Sequence, residues 1–407
     1  MDIKTCLVWL EHEDVNKLDG FIQECQTNGV NVKIIEGFER FFNIDILSAD
    51  FNLFSQYLLG LDIKFSETFI ITDSLYPVKL SRGSGIKGIL SVIKDDNTAA
   101  FACGADLACR FPGDISFDDV RCVFDFKPPL LDDAWESKKI DLQNRGNVKF
   151  NPKRFMNADM VFNSDKPVAF FFDYDGTLTP IVERPEWAKI SADMRDKIKK
   201  ISDRHKVAVV SGRMREDVER LLKIDNIFYA GSHGFDISGK NFSFILPQAK
   251  KLLPVIASIT ADLKDELAGI DGIIIEEKKF SVAIHYRLVD KQYFPVITEI
   301  VSKMVRSFED LRMMRGKMVF EILPKFDWNK GKAVQSIMSK LGINWDDYNV
   351  VYFGDDTTDE DAFRVMSGRG FGFLVSPFEI CSSAEFRLRS VDDAERLFEV
   401  ILDNGRR

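Results

Sequence analysis

The segment PVAFFFDYDG, residues 167–176, decides the fold that we predict for this chain. Five apolar residues lead directly into Asp173 and Asp175, and Gly176 follows them. Side chains alternate between the two faces of a strand, so residues two apart point to the same side. Two carboxylates on one side repel each other unless a cation or a proton lies between them. The segment therefore predicts a buried strand that ends at a metal site.

The length and composition of the chain favour a multidomain globular protein. With 407 residues we expect two or three domains, and with 45% hydrophobic residues we expect packed cores rather than disorder. The formal net charge of −9 argues against a nucleic-acid-binding protein, because such domains carry a basic face. Small phosphorylated substrates stay compatible with this charge, because a local basic site can lie in an acidic protein.

Features of targeting and of metal-binding cysteines are absent from the sequence. The first residues, MDIKTCLVWLEHEDV, place acids rather than a basic region and a cleavage site around a short apolar run. No apolar run is long enough to span a bilayer, so we expect a cytoplasmic protein without a membrane partner. Six cysteines occur without a CxxC pair, which argues against zinc and favours free buried thiols.

The first block of the chain, residues 1–125, has the pattern of a small α/β domain. Four apolar segments predict strands: TCLVWL, VNVKII, ETFIITD and IKGILSVI. The segment EDVNKLDGFIQECQTNG predicts a helix that ends at Gly29. Strands that alternate with helices indicate a parallel α/β layer. Residues 126–162 contain prolines, charges and little periodicity, and we interpret them as a linker with one short helix.

The remaining residues predict a larger α/β core that an inserted unit interrupts. Buried strands and helices alternate in residues 163–245 and again in residues 326–407. Residues 246–325 instead follow the order αββαββ, which indicates a separate α+β cap. Ligands of open α/β sheets bind at the carboxyl ends of the strands, where an inserted unit can act as a lid.

The candidate catalytic residues each follow a predicted buried strand. Asp173 and Asp175 follow VAFFF, Ser211 follows VAVV, and Asp355 and Asp356 follow VVYFG. Because the carboxyl ends of parallel strands meet at one edge of a sheet, we expect these groups to lie close together.

Two structural explanations compete with a catalytic one. A calcium-binding EF-hand loop requires glycine at position six and glutamate at position twelve, whereas here glycine is at position four and Arg184 at position twelve. Acids also favour the start of a helix, which explains Glu360 and Asp361. Neither explanation accounts for Asp355 and Asp356 at the end of an apolar strand.

Four motifs in this order resemble those of the haloacid dehalogenase-like phosphatases. They are DYDGTLT (173–179), VVSGR (209–213), DWNKG (327–331) and GDDTTDEDAF (354–363). Further segments are similar to those of trehalose-6-phosphate phosphatases, namely AGSHGFDI, KKFSVAIHYR and MVFEILP. The resemblance covers about residues 165–400. It implies a Rossmann-like hydrolase core with an α+β cap, and hydrolysis of trehalose 6-phosphate to trehalose and phosphate with Mg²⁺ as the cofactor.

The resemblance also implies roles for the residues after the first strand. Asp173 would attack phosphorus and form an aspartyl-phosphate, for which a carboxylate is suited because it is ionised at neutral pH. Asp175 would first protonate the leaving sugar oxygen and then act as general base. Mg²⁺ would be bound by Asp173, the backbone carbonyl of Asp175, and Asp355, with Asp356 beside them.

The phosphate would be bound by Ser211, Thr177 and Lys330 according to the same resemblance. Most lysines are solvated surface charges. Lys330, however, begins a predicted helix, where a cation opposes the helix dipole and an anionic partner would stabilise it.

The predicted cap strand KKFSVAIHYRL has one apolar and one polar face. Val282, Ile284 and Tyr286 share the apolar parity. The polar parity is either a solvated face or, as the resemblance implies, the sugar-binding face. Substrate-binding candidates from this unit and from the core are Lys279, His285, Arg287, Glu321, His233 and Arg213. Carboxylates, imidazole and guanidinium groups are suitable partners for a polyol.

Residues 67–93 follow the same pattern as residues 349–375: a strand, an acid, a short helix, a glycine-rich turn and a strand. We interpret the N-terminal block as a degenerate, non-catalytic copy of the hydrolase fold, because it lacks a DxDG motif and only Asp73 stands near the acidic position. Its role could be stabilising, regulatory or dimerising.

Two alternative functions are compatible with the sequence. One is a phosphatase for another sugar phosphate, such as sucrose phosphate or mannosylglycerate phosphate. The other is a catalytically silent sugar-phosphate sensor, which would be expected to lack a key group. All the predicted catalytic groups are present in this sequence, so the enzyme is favoured.

Overall fold

The computed structural model describes residues 5–9, 18–34, 68–72, 86, 88–92, 105–109, 120, 123, 127–128, 130–131, 149–150, 161–162, 164–182, 187–316 and 318–404. Two compact units divide the chain. Unit 1 comprises Met1–Val209 and Asn329–Arg407, and unit 2 comprises Val210–Trp328. Each unit is described separately below.

The described strands are numbered in chain order. They are β1 (Thr5–Trp9), β2 (Asn31–Ile34), β3 (Thr68–Thr72), β4 (Gly88–Val92), β5 (Leu107–Cys109), β6 (Lys149–Phe150), β7 (Val168–Phe172), β8 (Lys206–Val210), β9 (Phe228–Gly231), β10 (Asp236–Gly239), β11 (Phe242–Ile245), β12 (Ile274–Glu277), β13 (Val282–His285), β14 (Leu311–Gly316), β15 (Val319–Pro324), β16 (Asn349–Gly354), β17 (Phe371–Val375) and β18 (Phe386–Leu388).

The described α-helices are numbered in the same way. They are α1 (Asp19–Thr27), α2 (Ala192–Ser202), α3 (Arg215–Leu222), α4 (Pro247–Lys251), α5 (Leu253–Glu266), α6 (Phe294–Arg306), α7 (Lys330–Leu341), α8 (Glu360–Met366) and α9 (Val391–Asn404).

The N-terminal sheet of unit 1 contains β1 to β6 in the order β2-β1-β3-β4-β5-β6. The first five strands in this order are parallel, and β6 is antiparallel to β5. Helix α1 packs on the sheet through Phe21 and Cys25, and the ring of Phe21 meets that of Phe69 edge-on. The predicted parallel α/β layer is therefore confirmed. Helix α1 ends at Thr27, two residues before the predicted end at Gly29.

The C-terminal sheet of unit 1 contains β7, β8 and β16 to β18, with the parallel order β8-β7-β16-β17-β18. All five residues of β7 are buried, as the apolar run predicted. The Phe172 ring lies 5.4 Å from Phe353 and 5.3 Å from Phe398, centroid to centroid. Burial of each such ring stabilises the fold by about 1.5–3 kcal/mol, so the centre of this sheet is a firm support for the residues that follow its strands.

The two sheets of unit 1 share one strand order. In the N-terminal sheet β1 lies between β2 and β3, and β4 and β5 follow β3. In the C-terminal sheet β7 lies between β8 and β16, and β17 and β18 follow β16. This order agrees with our hypothesis that the N-terminal block is a copy of the hydrolase fold. Its non-catalytic character stays a prediction, and Asp73 lies outside the described residues.

Part of the predicted linker 126–162 pairs with the C-terminal sheet. Leu130 forms a parallel bridge with Arg387 of β18, and the Leu131 backbone N–H donates to the Arg387 carbonyl at 3.0 Å. Residues 132–148, within the segment predicted to hold a short helix, lie outside the described residues.

Unit 2 contains two groups of antiparallel strands. Strands β9, β10 and β11 pair antiparallel with one another as part of a larger sheet, and a separate four-stranded sheet has the order β12-β13-β15-β14. Val282 and Ile284 of β13 pack with helices α5 and α6 in an apolar core, which confirms the apolar parity predicted for this strand. The order αββαββ is also confirmed, and the predicted cap 246–325 lies within this longer unit.

Two further expectations concern membranes and thiols. No helix in the described part of the chain combines the length and the apolar character that a membrane span requires. Among the described residues, Cys6, Cys25 and Cys381 form no disulfide, and the first two are buried. The sheets and helices described above together confirm the predicted α/β fold class.

Candidate active site

Two neighbouring strands of the C-terminal sheet bring acidic residues together. Strands β7 and β16 are parallel and in register from Asn349 opposite Val168 to Phe353 opposite Phe172. The Asp173 N–H continues this pairing by donating to the Phe353 carbonyl at 2.8 Å. The residues that follow the two strands therefore leave the sheet at the same edge, as the sequence predicted.

The turn after β7 holds Asp175 and Gly176. The Gly176 N–H donates to the Thr179 carbonyl at 2.7 Å, and Gly176 has φ +83°, a conformation that favours glycine. A Cβ atom at this position would lie 2.1 Å from Oδ2 of Asp355. Glycine is therefore required both by the turn and by the approach of the second acid.

Strand alternation was the wrong reason for expecting Asp173 and Asp175 to be close. Strand β7 ends at Phe172, so Asp175 lies in the turn and not on a strand face. The Asp175 charge is the smallest of the contributions that raise the pKa of Asp173, after burial and the charge of Asp359.

Lys330 is the buried cation of this site. It begins α7, where the side chain of Asn329 caps the helix by accepting from the Lys332 N–H at 3.0 Å. The Lys330 Nζ donates to Oδ1 of Asp173 at 2.8 Å and to Oδ1 of Asp359 at 2.7 Å. Only 3% of the lysine is exposed. Burial lowers its pKa, but the two carboxylates outweigh burial, so the pKa lies above its ordinary value and the lysine is charged.

Asp359 organises the turn after β16. It is fully buried, and its Oδ1 also accepts from the Tyr352 hydroxyl at 2.6 Å. Its Oδ2 accepts the backbone N–H groups of Asp355 at 3.1 Å and Asp356 at 3.0 Å. We did not predict Asp359 as a site residue; the helix dipole was used to explain only its neighbours Glu360 and Asp361. The signal that could have identified it is a third acid within five residues of an apolar strand.

Three carboxylates form an acidic cluster that could hold a metal ion. Asp173, Asp355 and Asp359 each offer one oxygen, and these oxygens lie within 4.8 Å of one another. Oδ1 of Asp355 is buried without a hydrogen-bond partner among the described residues. Oxygen ligands of this kind suit a hard divalent cation, and the orphaned oxygen fits a ligand position.

Burial and mutual repulsion shift the pKa values in this acidic cluster. Burial raises the pKa of Asp173, and Lys330 only partly offsets it. Burial, followed by the charges of Asp173 and Asp359, raises the pKa of Asp355. Bringing these carboxylates together therefore has a free-energy cost that a bound cation would remove.

The other predicted groups of unit 1 are Thr177 and Asp356. Thr177 is fully buried, and its hydroxyl has no hydrogen-bond partner among the described residues. An unsatisfied buried hydroxyl costs about 1–3 kcal/mol, which an oxygen of a bound phosphate would recover. Asp356 is exposed, and its Oδ1 accepts from the N–H of Thr357 at 2.6 Å. The structure therefore does not place the Asp356 side chain in the acidic cluster, and its role as a ligand stays a prediction.

Ser211 and Arg213, both in unit 2, lie in a turn that leads out of β8. Ser211 is buried, and its hydroxyl oxygen accepts from the Arg213 N–H at 3.1 Å. The Ser211 carbonyl accepts from the N–H of His233 at 2.9 Å. A Cβ atom on Gly212 would lie 2.9 Å from the His233 ring, so glycine permits this close packing.

A second group of charged residues in unit 2 surrounds Glu321 on β15. Its carboxylate accepts from Nζ of Lys278 at 3.0 Å and from Oγ of Ser281 at 2.7 Å, and it lies 3.7 Å from Nε2 of His233. Burial raises the pKa of Glu321, but the charge of Lys278, the nearby imidazole of His233 and the hydrogen bond from Ser281 outweigh burial and hold this pKa below its usual range. We call these four residues the Glu321 cluster. It includes the predicted residues Glu321 and His233.

Lys278 was missed because we expected Lys279 on this face. Lys279 instead donates to Asp236 at 2.5 Å and to Glu216 at 3.2 Å. The Lys278 N–H donates to the Ser281 carbonyl at 2.9 Å, so residues 278–281 form a turn and strand alternation does not extend to them. The role of Lys279 in substrate binding stays a prediction.

The remaining predicted residues of unit 2 are His285 and Arg287. Nε2 of His285 lies 2.9 Å from Oε2 of Glu276, and this hydrogen bond lowers the pKa of Glu276. Arg287 is exposed and follows the end of β13. Glu276 is a further acid on this face that the sequence did not single out.

Comparisons with known proteins agree with this geometry. A family model described as trehalose-phosphatase matches residues 171–392. Probable trehalose-phosphate phosphatase D of Arabidopsis thaliana is 38% identical over 250 residues, which cover 58% of this chain and 68% of that protein. Trehalose-phosphate phosphatase B of the same plant is 36% identical over 250 residues, which cover 58% and 67%.

A solved structure gives the corresponding likeness in three dimensions. It is described as a trehalose-6-phosphate phosphatase related protein, and it matches with a TM-score of 0.52 and 25% sequence identity. The match covers 58% of this chain and 98% of that one. The matched family segment begins at residue 171, so it does not include the N-terminal sheet.

Proposed function

The chain belongs to the trehalose-phosphatase family and is a phosphatase, and from this premise we propose that it hydrolyses trehalose 6-phosphate with Mg²⁺ through an aspartyl-phosphate on Asp173. One observation carries the proposal: Lys330 donates to both Asp173 and Asp359, and the half-buried Asp355 lies beside them. A buried carboxylate held next to a cation and two further acids is the arrangement that phosphoryl transfer to a side chain requires.

The charge of the site supports a divalent cation. The carboxyl groups of Asp173, Asp355 and Asp359 outnumber the single ammonium group of Lys330 beside them. A phosphate monoester would add further negative charge next to a carboxylate that must attack it. Mg²⁺ bound by Asp173 and Asp355 would supply charge neutralisation of both reactants.

The first chemical step uses Asp173 and Asp175. An oxygen of Asp173 forms a bond to phosphorus while the bond from phosphorus to the sugar oxygen breaks. Asp175 gives its proton to the departing oxygen, so trehalose leaves as a neutral alcohol. Lys330 and the orphaned Thr177 hydroxyl stabilise the charge that develops on the phosphoryl oxygens.

The second step regenerates the enzyme. Asp175, now ionised, takes a proton from a water molecule, and the resulting nucleophile attacks the phosphorus of the aspartyl-phosphate. The bond between phosphorus and Asp173 breaks, inorganic phosphate leaves, and Asp175 is again protonated. Because one residue acts as acid and then as base, its carboxyl group needs a partly polar environment, and Asp175 is only half-buried.

The sugar is assigned to residues of unit 2. The Glu321 cluster presents a carboxylate, an ammonium group and an imidazole, which suit the hydroxyl groups of a disaccharide. His285, Arg287, Lys279 and Arg213 are kept as sugar-binding candidates from the sequence, and Ser211 as a donor to phosphate.

Phosphate release from a panel of sugar phosphates tests this function. The panel contains trehalose 6-phosphate, sucrose phosphate and mannosylglycerate phosphate, each with Mg²⁺ and with EDTA. The variants are Asp173→Asn and, as a matched control, Asp262→Asn on the exposed face of α5. We expect release from trehalose 6-phosphate that EDTA and Asp173→Asn abolish and that Asp262→Asn leaves unchanged.

Other outcomes would point to the alternative functions. Release from another sugar phosphate would keep the chemistry and overturn the substrate. A folded protein that releases no phosphate from any of these compounds would overturn the enzyme and favour the sugar-phosphate sensor. Acid-quenched enzyme analysed by mass spectrometry should carry a phosphoryl group on Asp173, and its absence during turnover would contradict the intermediate.

A further inference from the structure

A buried hydrogen bond connects Asp106, next to β5 of the N-terminal sheet, to Ser367, the residue that follows helix α8. Oδ1 of Asp106, the residue before β5, accepts from the hydroxyl of Ser367 at 3.1 Å. Both residues are fully buried, and 261 positions separate them in the sequence. A bond from a hydroxyl to a buried carboxylate is among the stronger uncharged-donor contacts, because the carboxylate would otherwise lose its solvation.

The position of Asp106 is fixed within its own sheet by a second contact. Its N–H donates to the Ile89 carbonyl at 2.8 Å, and its Oδ2 accepts from the Ile89 N–H at 2.9 Å. Asp106 is therefore clamped to β4 by one carboxylate oxygen and directs the other to Ser367.

The C-terminal sheet contains the same clamp. Glu385, the residue before β18, donates its N–H to the Gly372 carbonyl at 3.0 Å and accepts from the Gly372 N–H at 2.6 Å. In both sheets an acid thus clamps the second residue of the preceding strand. The clamp is the structural role that the two acids share, whereas the bond from Asp106 to Ser367 joins one sheet to the other.

Ser367 lies at the end of helix α8, and Asp359 lies at its beginning. The Ser367 N–H donates to the Phe363 carbonyl at 2.8 Å, and the Phe363 N–H donates to the Asp359 carbonyl at 2.9 Å. The helix spans about 10 Å, and its residues from Ala362 onward are buried. Because buried side chains are closely packed, we expect the helix to move as a rigid body. A displacement of the backbone at Ser367 would therefore also displace Asp359.

We propose that Asp106 is a positioning residue which, through Ser367 and α8, holds Asp359 against Lys330 and the turn of Asp355. The N-terminal sheet then sets the affinity of the acidic cluster for a divalent cation, although it has no catalytic group of its own. This inference rests on the proposed function. It gives the N-terminal block a regulatory role, one of the three that the sequence left open.

The test compares two buried serines. Ser367→Ala removes the hydroxyl that bonds to Asp106, and Ser202→Ala is the matched control, because Ser202 is 3% exposed and its hydroxyl donates to Lys199 within α2. The probe is Mg²⁺ itself. The Tm of the full chain is measured at increasing Mg²⁺ concentrations, so that the affinity for Mg²⁺ is obtained without turnover. We expect Ser367→Ala to raise the Mg²⁺ concentration for half-maximal stabilisation about 3- to 10-fold. Ser202→Ala should leave it unchanged.

Two further variants separate positioning from loss of structure. In Asp106→Asn the amide can still accept from Ile89 and can donate to the Ser367 oxygen, so near-normal Mg²⁺ affinity is expected. Ser367→Cys is nearly isosteric with the native serine and keeps only a weak donor, and it serves if the alanine variant does not fold. In activity assays the Ser367 variants should need more Mg²⁺, with KM for the sugar phosphate within twofold of the native value.

The proposal would be overturned if Ser367→Ala and Ser202→Ala needed the same Mg²⁺ concentration for half-maximal stabilisation while both had the circular dichroism spectrum of the native protein. Loss of affinity in Asp106→Asn as large as in Ser367→Ala would also contradict it, because the bridging contact can form in the former. If the native protein released no phosphate from any compound but Ser367→Ala still bound Mg²⁺ more weakly, the proposed function would fall and the positioning role would stand.

Discussion

Replacing Asp355 by asparagine should stabilise the cation-free protein and remove its response to Mg²⁺. Asp355 has a buried, unpartnered Oδ1, and its carboxylate lies with those of Asp173 and Asp359 in the acidic cluster. Asparagine keeps the shape of the side chain and removes the charge. The expected gain in stability comes with a loss of function, as is common where a site stores repulsion.

The magnitude follows from the distances. Two unit charges 4.8 Å apart repel by about 3 kcal/mol at an effective dielectric constant near 20. Asp355 faces two such charges, and the attraction of Lys330 offsets roughly one of them. We therefore expect Asp355→Asn to unfold with a free energy about 2–4 kcal/mol higher, which corresponds to a rise of about 4–15 °C in Tm.

The effect should depend on pH in a defined direction. The pKa of Asp355 is raised in the folded protein, so the folded state binds more protons than the unfolded state above about pH 4. The stability of the cation-free native protein must then fall as pH rises from about 4 toward the raised pKa. The advantage of Asp355→Asn should be smallest at and below about pH 4, where the unfolded carboxyl also becomes protonated, and should grow toward pH 8.

Thermal unfolding in EDTA between pH 4 and pH 8, followed by Mg²⁺ titration at pH 8, measures both effects. The matched comparison is Asp262→Asn, since this carboxylate is exposed on helix α5 and has no predicted role in the site. Its change in stability should be within about 0.5 kcal/mol. The reasoning would be refuted if Asp355→Asn were no more stable than the native protein in EDTA at pH 8, or if Mg²⁺ stabilised both equally.

Three further substitutions test separate parts of the site. Lys330→Met leaves buried carboxylates without their cation, so we expect the free energy of unfolding to fall by about 3–5 kcal/mol in urea denaturation, whereas Lys250→Met on an exposed face should change it little. Asp175→Asn removes the proton donor, so we expect kcat to fall about 10²- to 10⁴-fold while Tm stays at the native value. An unchanged kcat would exclude Asp175 as the general acid and base. Lys278→Met should raise KM for trehalose 6-phosphate without changing Mg²⁺ dependence, and its effect should not add to that of Glu321→Gln.

Much of the candidate site could be predicted because strand ends are visible in a sequence. The apolar run of β7 followed by Asp173, and that of β16 followed by Asp355, appear directly in the residue order. Parallel pairing of neighbouring strands then brings their ends to one edge, which is a general property of such sheets. The family resemblance implied that Lys330 pairs with Asp173, and the structure has the Lys330 Nζ 2.8 Å from Oδ1 of Asp173.

The residues that were missed lie where periodicity stops. Asp359 was not singled out from the sequence, and only the folded turn shows its carboxylate bonded to Tyr352 and Lys330. Lys278 was passed over for Lys279, because alternation was carried past the start of β13 into a turn. Periodic patterns determine which face a residue of a strand or helix occupies, and they contain no information on side-chain direction in turns.

By itself, then, the sequence determined the strands, their apolar cores, the inserted αββαββ unit and the acids that follow β7 and β16. Only the tertiary structure showed that Asp173 and Asp359 are the acids bonded to Lys330, and only it revealed the bond between Asp106 and Ser367. These contacts join residues far apart in the chain through turns and helix ends. Their geometry depends on how whole elements pack, and local residue patterns do not determine that packing.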